Sequence, residues 1–225
     1  MKYIKEETLL YIVLYLNECH ISTEVQPRHM KYLIGIDEVG RGPIAGPVAV
    51  GAFVFLDPKV KRLFRGVKES KQLNEENREK WFAIINEAKR AGLVDFCVTF
   101  QSEKVIDNKG LSYAIKTALS KSLLALKIDP KSTKVLLDGG LKAPLEYKDQ
   151  KTIIKGDEKE MIIALASITA KVLRDRKMIK LGKKYPDYGF EIHKGYGTKR
   201  HYDAIKKYGL LKEHRRSFLG KIVLN

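Results

Sequence analysis

Four acidic residues that follow short apolar runs are the first indication of chemistry in this sequence. They are Asp37, Glu38, Asp138 and Asp157. Taken singly, each Asp-Gly or Gly-Asp pair is also typical of a turn or a helix N-cap. Their recurrence after separate apolar runs favours a joint role, because four carboxylates gathered in an interior without metal would repel one another and take up protons. Divalent cations would keep all four ionised.

Oxygen ligands of this kind suit Mg²⁺ or Mn²⁺. Two such ions about 3.5–4 Å apart can activate a water molecule and stabilise the leaving oxygen in phosphodiester hydrolysis. The acids therefore predict a nuclease. A Walker-type nucleotide site is disfavoured, because the Gly40-Arg41-Gly42 segment is not followed by the Gly-Lys-Ser/Thr that cradles phosphates.

Two further segments could contact phosphates. In Gly40-Arg41-Gly42 the glycines allow a ligand to approach the backbone, and the arginine can hydrogen-bond a phosphate or hold the acid pair. A tight hairpin turn with an exposed arginine explains the same residues equally well. Ser70 and Lys71 precede a predicted helix and could hold a phosphate through hydroxyl, ammonium and helix N-terminus together. A bare N-cap with a solvated lysine is the alternative.

Positive charge is concentrated at the end of the chain. The formal net charge is +16, and residues 171–225 hold sixteen Lys and Arg against five Asp and Glu. A basic end beside an acidic cluster suggests a polyanion held over a metal site, although a solvated surface can carry the same charge. Tyr196 stands between two glycines in this region, where it could stack on a base or reach a 2′-hydroxyl, or simply pack at the surface.

Composition argues against several other classes of protein. With 44% hydrophobic and 31% charged residues the chain is typical of a soluble globular protein. We find neither a bilayer-length apolar segment nor a signal-peptide pattern, so we expect no membrane association and a cytoplasmic location. Cys19 and Cys97 are far apart and the five histidines have no zinc spacing, which disfavours a disulfide scaffold or a zinc site.

Apolar periodicity predicts the elements that must position the acids. Residues 31–56 contain two apolar runs, which indicate a hairpin with Asp37 and Glu38 near the end of its first strand. Further strands are expected at 93–100, 133–138 and 152–155, and helices at about 75–91, 113–127, 157–181 and 199–208. This order favours an α/β sheet of mixed direction. We expect residues 1–30 to form a helical appendage and residues 31–225 to form one domain.

Seven motifs in order, from about Leu33 to Phe218, resemble ribonuclease HII, the type 2 ribonuclease H family. They are the segments 37–47 (DEVGRGPIAGP), 69–73 (ESKQL), 137–139 (LDG), 155–157 (KGD), 166–176 (ASITAKVLRDR), 193–198 (HKGYGT) and 214–218 (HRRSF). The resemblance implies a ribonuclease H-like fold, with a five-stranded mixed sheet flanked by helices. A helical C-terminal subdomain would cover about residues 182–225.

The same resemblance implies an endonuclease that hydrolyses the RNA strand of RNA–DNA hybrids. It would also incise duplex DNA 5′ to a single embedded ribonucleotide, leaving 3′-hydroxyl and 5′-phosphate ends. Its partners would be these nucleic acids, with no obligatory protein partner, and the protein would be a monomer. A non-catalytic nucleic-acid-binding protein on the same fold is the alternative.

Residue roles carried over from the family cover all ten candidate positions. Asp37, Glu38, Asp138 and Asp157 would bind two divalent ions, Mg²⁺ or Mn²⁺; Gly40, Arg41 and Gly42 would contact the 2′-hydroxyl and adjacent phosphate; Ser70 with Lys71 would hold DNA-side phosphates; and Tyr196 would sense the ribose at the RNA–DNA junction. Glu69 stands where the family usually has aspartate, which weakens the phosphate-site interpretation of 69–71. Asp175, in a helix between two arginines, is expected to be an ion-pair hub, so Asp157 is preferred for the metal.

Overall fold

One mixed five-stranded sheet organises the part of the chain that the computed structural model describes, residues 32–220. Its strands are β1 (Tyr32–Val39), β2 (Val48–Phe55), β3 (Val94–Gln101), β4 (Thr133–Asp138) and β5 (Asp149–Ile153), in the order β3-β2-β1-β4-β5. The pairs β1–β2 and β2–β3 are antiparallel, whereas β1–β4 and β4–β5 are parallel. The expected five-stranded mixed sheet is confirmed. The predicted appendage of residues 1–30 lies outside the described residues.

Helices cover both faces of the sheet. They are α1 (Glu75–Arg90), α2 (Glu103–Lys109), α3 (Leu111–Ala125), α4 (Gly156–Lys159), α5 (Met161–Lys184), α6 (Phe190–His193), α7 (Lys199–Tyr208) and α8 (Arg216–Leu219). None of the helices within residues 32–220 is long and apolar enough to cross a bilayer. Thr198 caps α7 by accepting a hydrogen bond from the His201 N–H. The cap of α1 is Asn74, so neither Ser70 nor Lys71 has that role.

The predicted boundaries around Asp157 are wrong. The last strand is Asp149–Ile153, which begins three residues and ends two residues earlier than expected, because its polar residues Asp149-Gln150-Lys151 pair with β4 at the sheet edge without an apolar pattern. The expected helix 157–181 is two helices, interrupted at Glu160, which has an extended backbone. Asp157 therefore lies in the first turn of α4 rather than at a strand end.

Helix α5 lies directly on the sheet because two strand residues have no side chain. A β-carbon at Gly35 in β1 would collide with the backbone carbonyl of Ile162, and one at Gly51 in β2 would collide with that of Ala166. Helix α3 packs on the opposite face, against β2 and β3, and shares an apolar core with buried residues of β1 and β4. This close packing carries α5 past the carboxyl ends of β1 and β4, where it presents Ser167 and Lys171.

The residues after α5 form their own small apolar core with the connection between β1 and β2. Its buried members are Ile44, Ala45, Met178, Tyr188, Phe190, Ala204, Ile205 and Leu219. A bridge between Ala45 and His214 adds backbone contact. The β1–β2 connection is thus an eight-residue loop, 40–47, packed against the C-terminal helices, and not the tight hairpin turn considered from sequence.

Candidate active site

Parallel pairing of β1 with β4 brings acids from distant parts of the sequence together. Ile36 pairs with Leu137, so Asp37 and Asp138 leave the two strands side by side. A cavity of about 220 Å³ opens at this edge. Nine of the ten predicted site residues line it, namely Asp37, Glu38, Gly40, Arg41, Gly42, Ser70, Lys71, Asp138 and Tyr196. The tenth, Asp157, is connected to the cavity by Lys71, whose Nζ lies 3.5 Å from the Asp157 carboxylate.

The surroundings of Asp37 and Glu38 oppose ionisation of both carboxyl groups. Burial raises the pKa of Asp37 well above its ordinary value, and the neighbouring charge of Glu38 adds to the effect. Burial also raises the pKa of Glu38, which the hydrogen bond from Arg41 Nη1, 3.0 Å long, partly offsets. The Oε2 atom of Glu38 is buried and has no hydrogen-bond partner among residues 32–220. A cation placed at this edge would relieve each of these costs.

The other two acids are held by the segment that follows β5. The Gly156 N–H donates to Asp138 Oδ1 at 2.6 Å, which ties the start of α4 to the end of β4. Asp157, the next residue, is buried and its charge acts on Asp37. Because Gly156 is fixed to Asp138, Asp157 is delivered to the same edge although it does not end a strand.

The four acids fit a hard divalent cation by chemistry, since they supply only oxygen donors and include an unpartnered buried oxygen. Within residues 32–220, no three His, Cys, Asp or Glu side chains already converge as a ligand group. Three of the acids instead contact other groups: Arg41 donates to Glu38, the Gly156 N–H donates to Asp138, and Lys71 donates to Asp157. A cation at this edge would compete with Arg41 and Lys71 for the carboxylate oxygens.

Ser70 and Lys71 have different environments. The Ser70 hydroxyl is buried and lies 2.8 Å from the Ser167 hydroxyl, so it braces α5 rather than facing solvent. The Lys71 side chain is 77% exposed, and its Nζ lies 3.5 Å from the Asp157 carboxylate. Sequence reasoning gave no role to Ser167 or Lys171, both of which line the cavity. Their spacing of four residues in the mainly apolar first half of α5 was the available signal.

Asp175 is an ion-pair hub, but its partners are not the arginines beside it. Lys171 Nζ lies 2.9 Å from one carboxylate oxygen, and Arg78 Nη2 lies 3.8 Å from the other. Adjacent helical residues point about 100° apart, which explains why Arg174 and Arg176 turn elsewhere. Arg176 instead pairs with Glu79.

Two fully buried arginines hold the loop 40–47. Arg215 donates to the carbonyls of Gly46 at 2.8 Å, Arg41 at 3.0 Å and Gly40 at 2.8 Å. Arg174 donates to the Pro47 carbonyl at 2.9 Å, and also to the carbonyls of Lys194 and Ala45. Burial lowers the pKa of Arg215 to about 10, which leaves it charged at neutral pH. The 214–218 motif carried the signal for Arg215, but its role depends on contacts some 170 residues away.

Tyr196 is connected to the C-terminal segment through two buried histidines. A carbonyl can only accept, so His201 Nδ1 donates to the Tyr196 carbonyl at 2.9 Å and leaves Nε2 as an acceptor. His214 Nε2, 3.0 Å away, is then the donor, and its Nδ1 accepts from the Leu211 N–H at 2.9 Å. This chain of hydrogen bonds requires both rings to be neutral.

Comparison with known proteins agrees with this architecture. The ribonuclease HII family model matches residues 34–221. Ribonuclease HII of Caldicellulosiruptor bescii is 43% identical over 208 residues, which cover 92% of this chain and 96% of that protein. The PCNA:RNase HII complex from Archaeoglobus fulgidus matches with a TM-score of 0.65 and 26% identity, over 82% of this chain and 93% of that chain. Bst-RNase HIII in complex with Mn²⁺ has a TM-score of 0.61 at 21% identity, covering 85% and 68% of the two chains.

The fold therefore defines a ribonuclease H-like protein, with its mixed five-stranded sheet between helices. Within that class, the chain belongs to the ribonuclease HII family, and it is accordingly a ribonuclease H, an endonuclease.

Replacement of Arg215 by methionine should damage both stability and activity. Three loop carbonyls lose their donor, and we expect the free energy of unfolding to fall by about 3 kcal/mol. Displacement of the loop should lower kcat/KM roughly tenfold or more in the protein that remains folded. Urea denaturation and steady-state cleavage measure the two effects. Arg176→Met, which removes an exposed pair with Glu79, is the matched control; equal kcat/KM in the two variants would contradict the assigned role of Arg215.

Stability should fall on acidification through the buried histidines. Burial lowers the pKa of His201 from 6.5 to about 4. Between these values the unfolded chain binds a proton that the folded protein does not, so the free energy of unfolding decreases as the pH falls through this window. The slope for one such proton is up to about 1.4 kcal/mol per pH unit. Urea midpoints at several pH values would show it, and His201→Gln should have a flatter dependence; an unchanged slope would count against His201.

Proposed function

We propose that this ribonuclease H cleaves the RNA strand of RNA–DNA hybrids and incises duplex DNA 5′ to a single embedded ribonucleotide, leaving 3′-hydroxyl and 5′-phosphate ends. The observation that carries the proposal is the composition of one small cavity. It combines an acid cluster suited to phosphodiester hydrolysis with a glycine-framed arginine and a tyrosine suited to a ribose.

Asp37, Glu38, Asp138 and Asp157 would hold two divalent ions, Mg²⁺ or Mn²⁺. When bound, such ions activate water and stabilise the leaving oxygen of the cleaved phosphodiester. Oxygen-only donors, raised carboxyl pKa values and the unpartnered Glu38 Oε2 support this assignment. The Mn²⁺ complex of Bst-RNase HIII, a protein of the same fold, supports a divalent ion as well.

Recognition of the ribose would fall to Gly42 and Tyr196, which face each other. A β-carbon at Gly42 would lie 3.7 Å from Tyr196 Cε1, so the missing side chain keeps the gap between them open. The Tyr196 side chain is partly exposed, with its main chain fixed through His201. A sugar could lie between the Gly42 backbone and the tyrosine ring, with its 2′-hydroxyl hydrogen-bonded to either.

Phosphates beside the cut would contact Arg41 and Lys71. Both side chains are largely exposed, 58% and 77%, although each now touches a carboxylate, that of Glu38 or Asp157. With the acids holding cations, the two basic side chains would be free to contact the substrate phosphates. Because Ser70 is buried against Ser167, we assign the phosphate contact of this segment to Lys71, with Ser70 as its support.

A non-catalytic binding protein is a weaker candidate, because a cluster of buried carboxylates repels phosphate and serves no binding purpose without a cation. The A. fulgidus relative was solved with PCNA. For this chain, a monomer without an obligatory protein partner remains a prediction.

One assay tests the proposed reaction directly. The protein is incubated with duplex DNA that contains one ribonucleotide, with no metal, with Mg²⁺ or with Mn²⁺, and the cut is mapped. We expect cleavage only with metal, on the 5′ side of the ribonucleotide. A cut elsewhere, or cleavage in a chelator, would contradict the proposal.

Asp37→Asn should abolish cleavage but keep binding. The variant loses a metal ligand and one negative charge next to the phosphate, so we expect a loss of roughly a thousandfold or more in kcat with an unchanged or smaller Kd for the hybrid. Asp129→Asn is the control, since it is exposed before the start of β4, at the opposite end of that strand from Asp138. Undiminished cleavage by Asp37→Asn would refute the active-site assignment.

Tyr196→Ala should affect isolated ribonucleotides most. A long hybrid offers many ribose positions in register, whereas a single ribonucleotide offers one, so we expect a larger loss of kcat/KM on the single-ribonucleotide duplex. The comparison is made on both substrates, with Tyr208→Ala as a control of equal exposure. Equal losses on the two substrates would argue against ribose sensing by Tyr196.

A further inference from the structure

A second, larger cavity adjoins the candidate active site on the β4 side. Its volume is about 720 Å³, and Arg41 lines both cavities. Gly140, two residues after Asp138, lines it as well. The two spaces therefore share a boundary at the residues that flank the acid cluster. We call this second cavity the β4 groove, after the loop 140–146 that forms one side; helix α3 forms the other.

The β4 groove carries unpaired positive charge. Lys116 on α3 and Lys142 on the loop are both exposed, on opposite sides of the groove. Within residues 32–220, neither has a carboxylate within ion-pair distance. Together with Arg41 they outnumber Glu146, the acid that lines the groove. This sign of charge matches a polyanion and complements the cavity beside it, where a phosphodiester would be cut.

Hydrogen bonds from β5 side chains hold the loop side of the groove in place. Thr152 in β5 donates to the Leu141 carbonyl at 2.9 Å. The Gln150 side chain accepts from the Ala143 N–H at 2.8 Å and donates to the Tyr147 carbonyl at 2.9 Å. The floor, which includes Ile115 and Leu141, belongs to the main apolar core. A ligand would thus meet a preformed surface, which lowers the entropic cost of binding.

The rim of the groove also carries an exposed apolar side chain, which attraction between charges alone does not require. Leu145 is 91% exposed beside the lysines. Exposed apolar side chains next to cationic ones suit a ligand that alternates charged phosphates with apolar faces of sugars and bases. Ser112, in the first turn of α3, adds a hydroxyl near a helix start that has no side-chain cap and no acid.

From these observations we propose that the β4 groove binds the nucleic-acid strand that continues from the scissile phosphate. Lys116 and Lys142 contact successive phosphates, and Leu145 packs against a sugar or base between them. The inference rests on the proposed function, because it treats the acid-lined cavity as the point of cleavage. According to this proposal, the substrate contacts the protein beyond Arg41, on a surface that lies outside the acid cluster.

The test reverses both charges, in Lys116→Glu/Lys142→Glu. Its matched control is Lys59→Glu/Lys131→Glu, with the same change in charge at exposed positions that follow β2 and precede β4, at the opposite end of the sheet from the acids. Both pairs are built in the Asp37→Asn background, and Kd for an RNA–DNA hybrid is measured by fluorescence anisotropy at several salt concentrations.

We expect the groove variant to bind at least about tenfold more weakly, with a salt dependence of log K that is shallower by about 1 to 2. The control should remain within about twofold of the parent. With Asp37 restored, the groove variant should show a raised KM and an unchanged kcat, because the acids are not altered. Lys116→Ala/Lys142→Ala, which removes the two positive charges without adding negative ones, should show a smaller loss of affinity in the same direction. A folding defect would not depend on the size of the charge change in this way.

Duplexes of different length then show which side of the ribonucleotide contacts the groove. Duplexes are shortened on one side of the ribonucleotide and then on the other. We expect the difference between groove variant and control to disappear on one of the two series, the one that no longer reaches the groove. If groove variant and control bind every duplex alike, the groove proposal is overturned while cleavage by the parent enzyme stands. If the parent cleaves no ribonucleotide-containing duplex but the difference in Kd persists, the proposed function fails and the groove stands.

Discussion

Mutual repulsion among buried carboxylates is the constraint on which the rest of this structure depends. Asp37 and Glu38 lie at the end of β1, beside Asp138 on a parallel strand, where burial and neighbouring charge both oppose ionisation. Three of the acids each accept a hydrogen bond from a separate donor: Glu38 from Arg41, Asp138 from the Gly156 N–H, and Asp157 from Lys71. Through Arg41 and the Gly156 N–H, the acids are linked to the segments that follow β1 and β5, while the loop 40–47 itself is held by two buried arginines.

A second dependence runs from the C-terminal segment to the loop 40–47. Arg215 and Arg174 have no carboxylate partner in the described contacts and donate instead to backbone carbonyls of that loop. The neighbouring His214 supports Tyr196 through His201. The segment 211–215 thus holds both sides of the gap between Gly42 and Tyr196. A substitution that weakens the contacts of the segment 211–215 would therefore displace the main chain of the loop 40–47, whereas the acids have no direct contact with this segment in the hydrogen bonds described above.

The apolar pattern of the sequence predicted the strands whose residues are buried, and it misplaced the strand whose residues are not. Strand β2 is wholly buried, and β1 and β4 each bury four residues, so their apolar runs marked them clearly. Strand β5 is a polar edge strand, whose register comes from pairing with β4 rather than from its own side chains, and its predicted bounds were wrong. The break at Glu160 was missed for a similar reason, because helical periodicity continues across it.

The sequence by itself determined the four acids, the glycine-framed Arg41, the basic C-terminal region and, through seven ordered motifs, the family. These are local features, since each can be recognised from residue types within a short segment. The tertiary structure decided which groups meet: that Ser70 is taken up by Ser167, that Asp175 pairs with Arg78, that Arg215 holds the loop after β1, and that Lys116 and Lys142 share a groove with Arg41. Contacts between residues a hundred positions apart depend on the packing of helices on the sheet, which no single segment encodes.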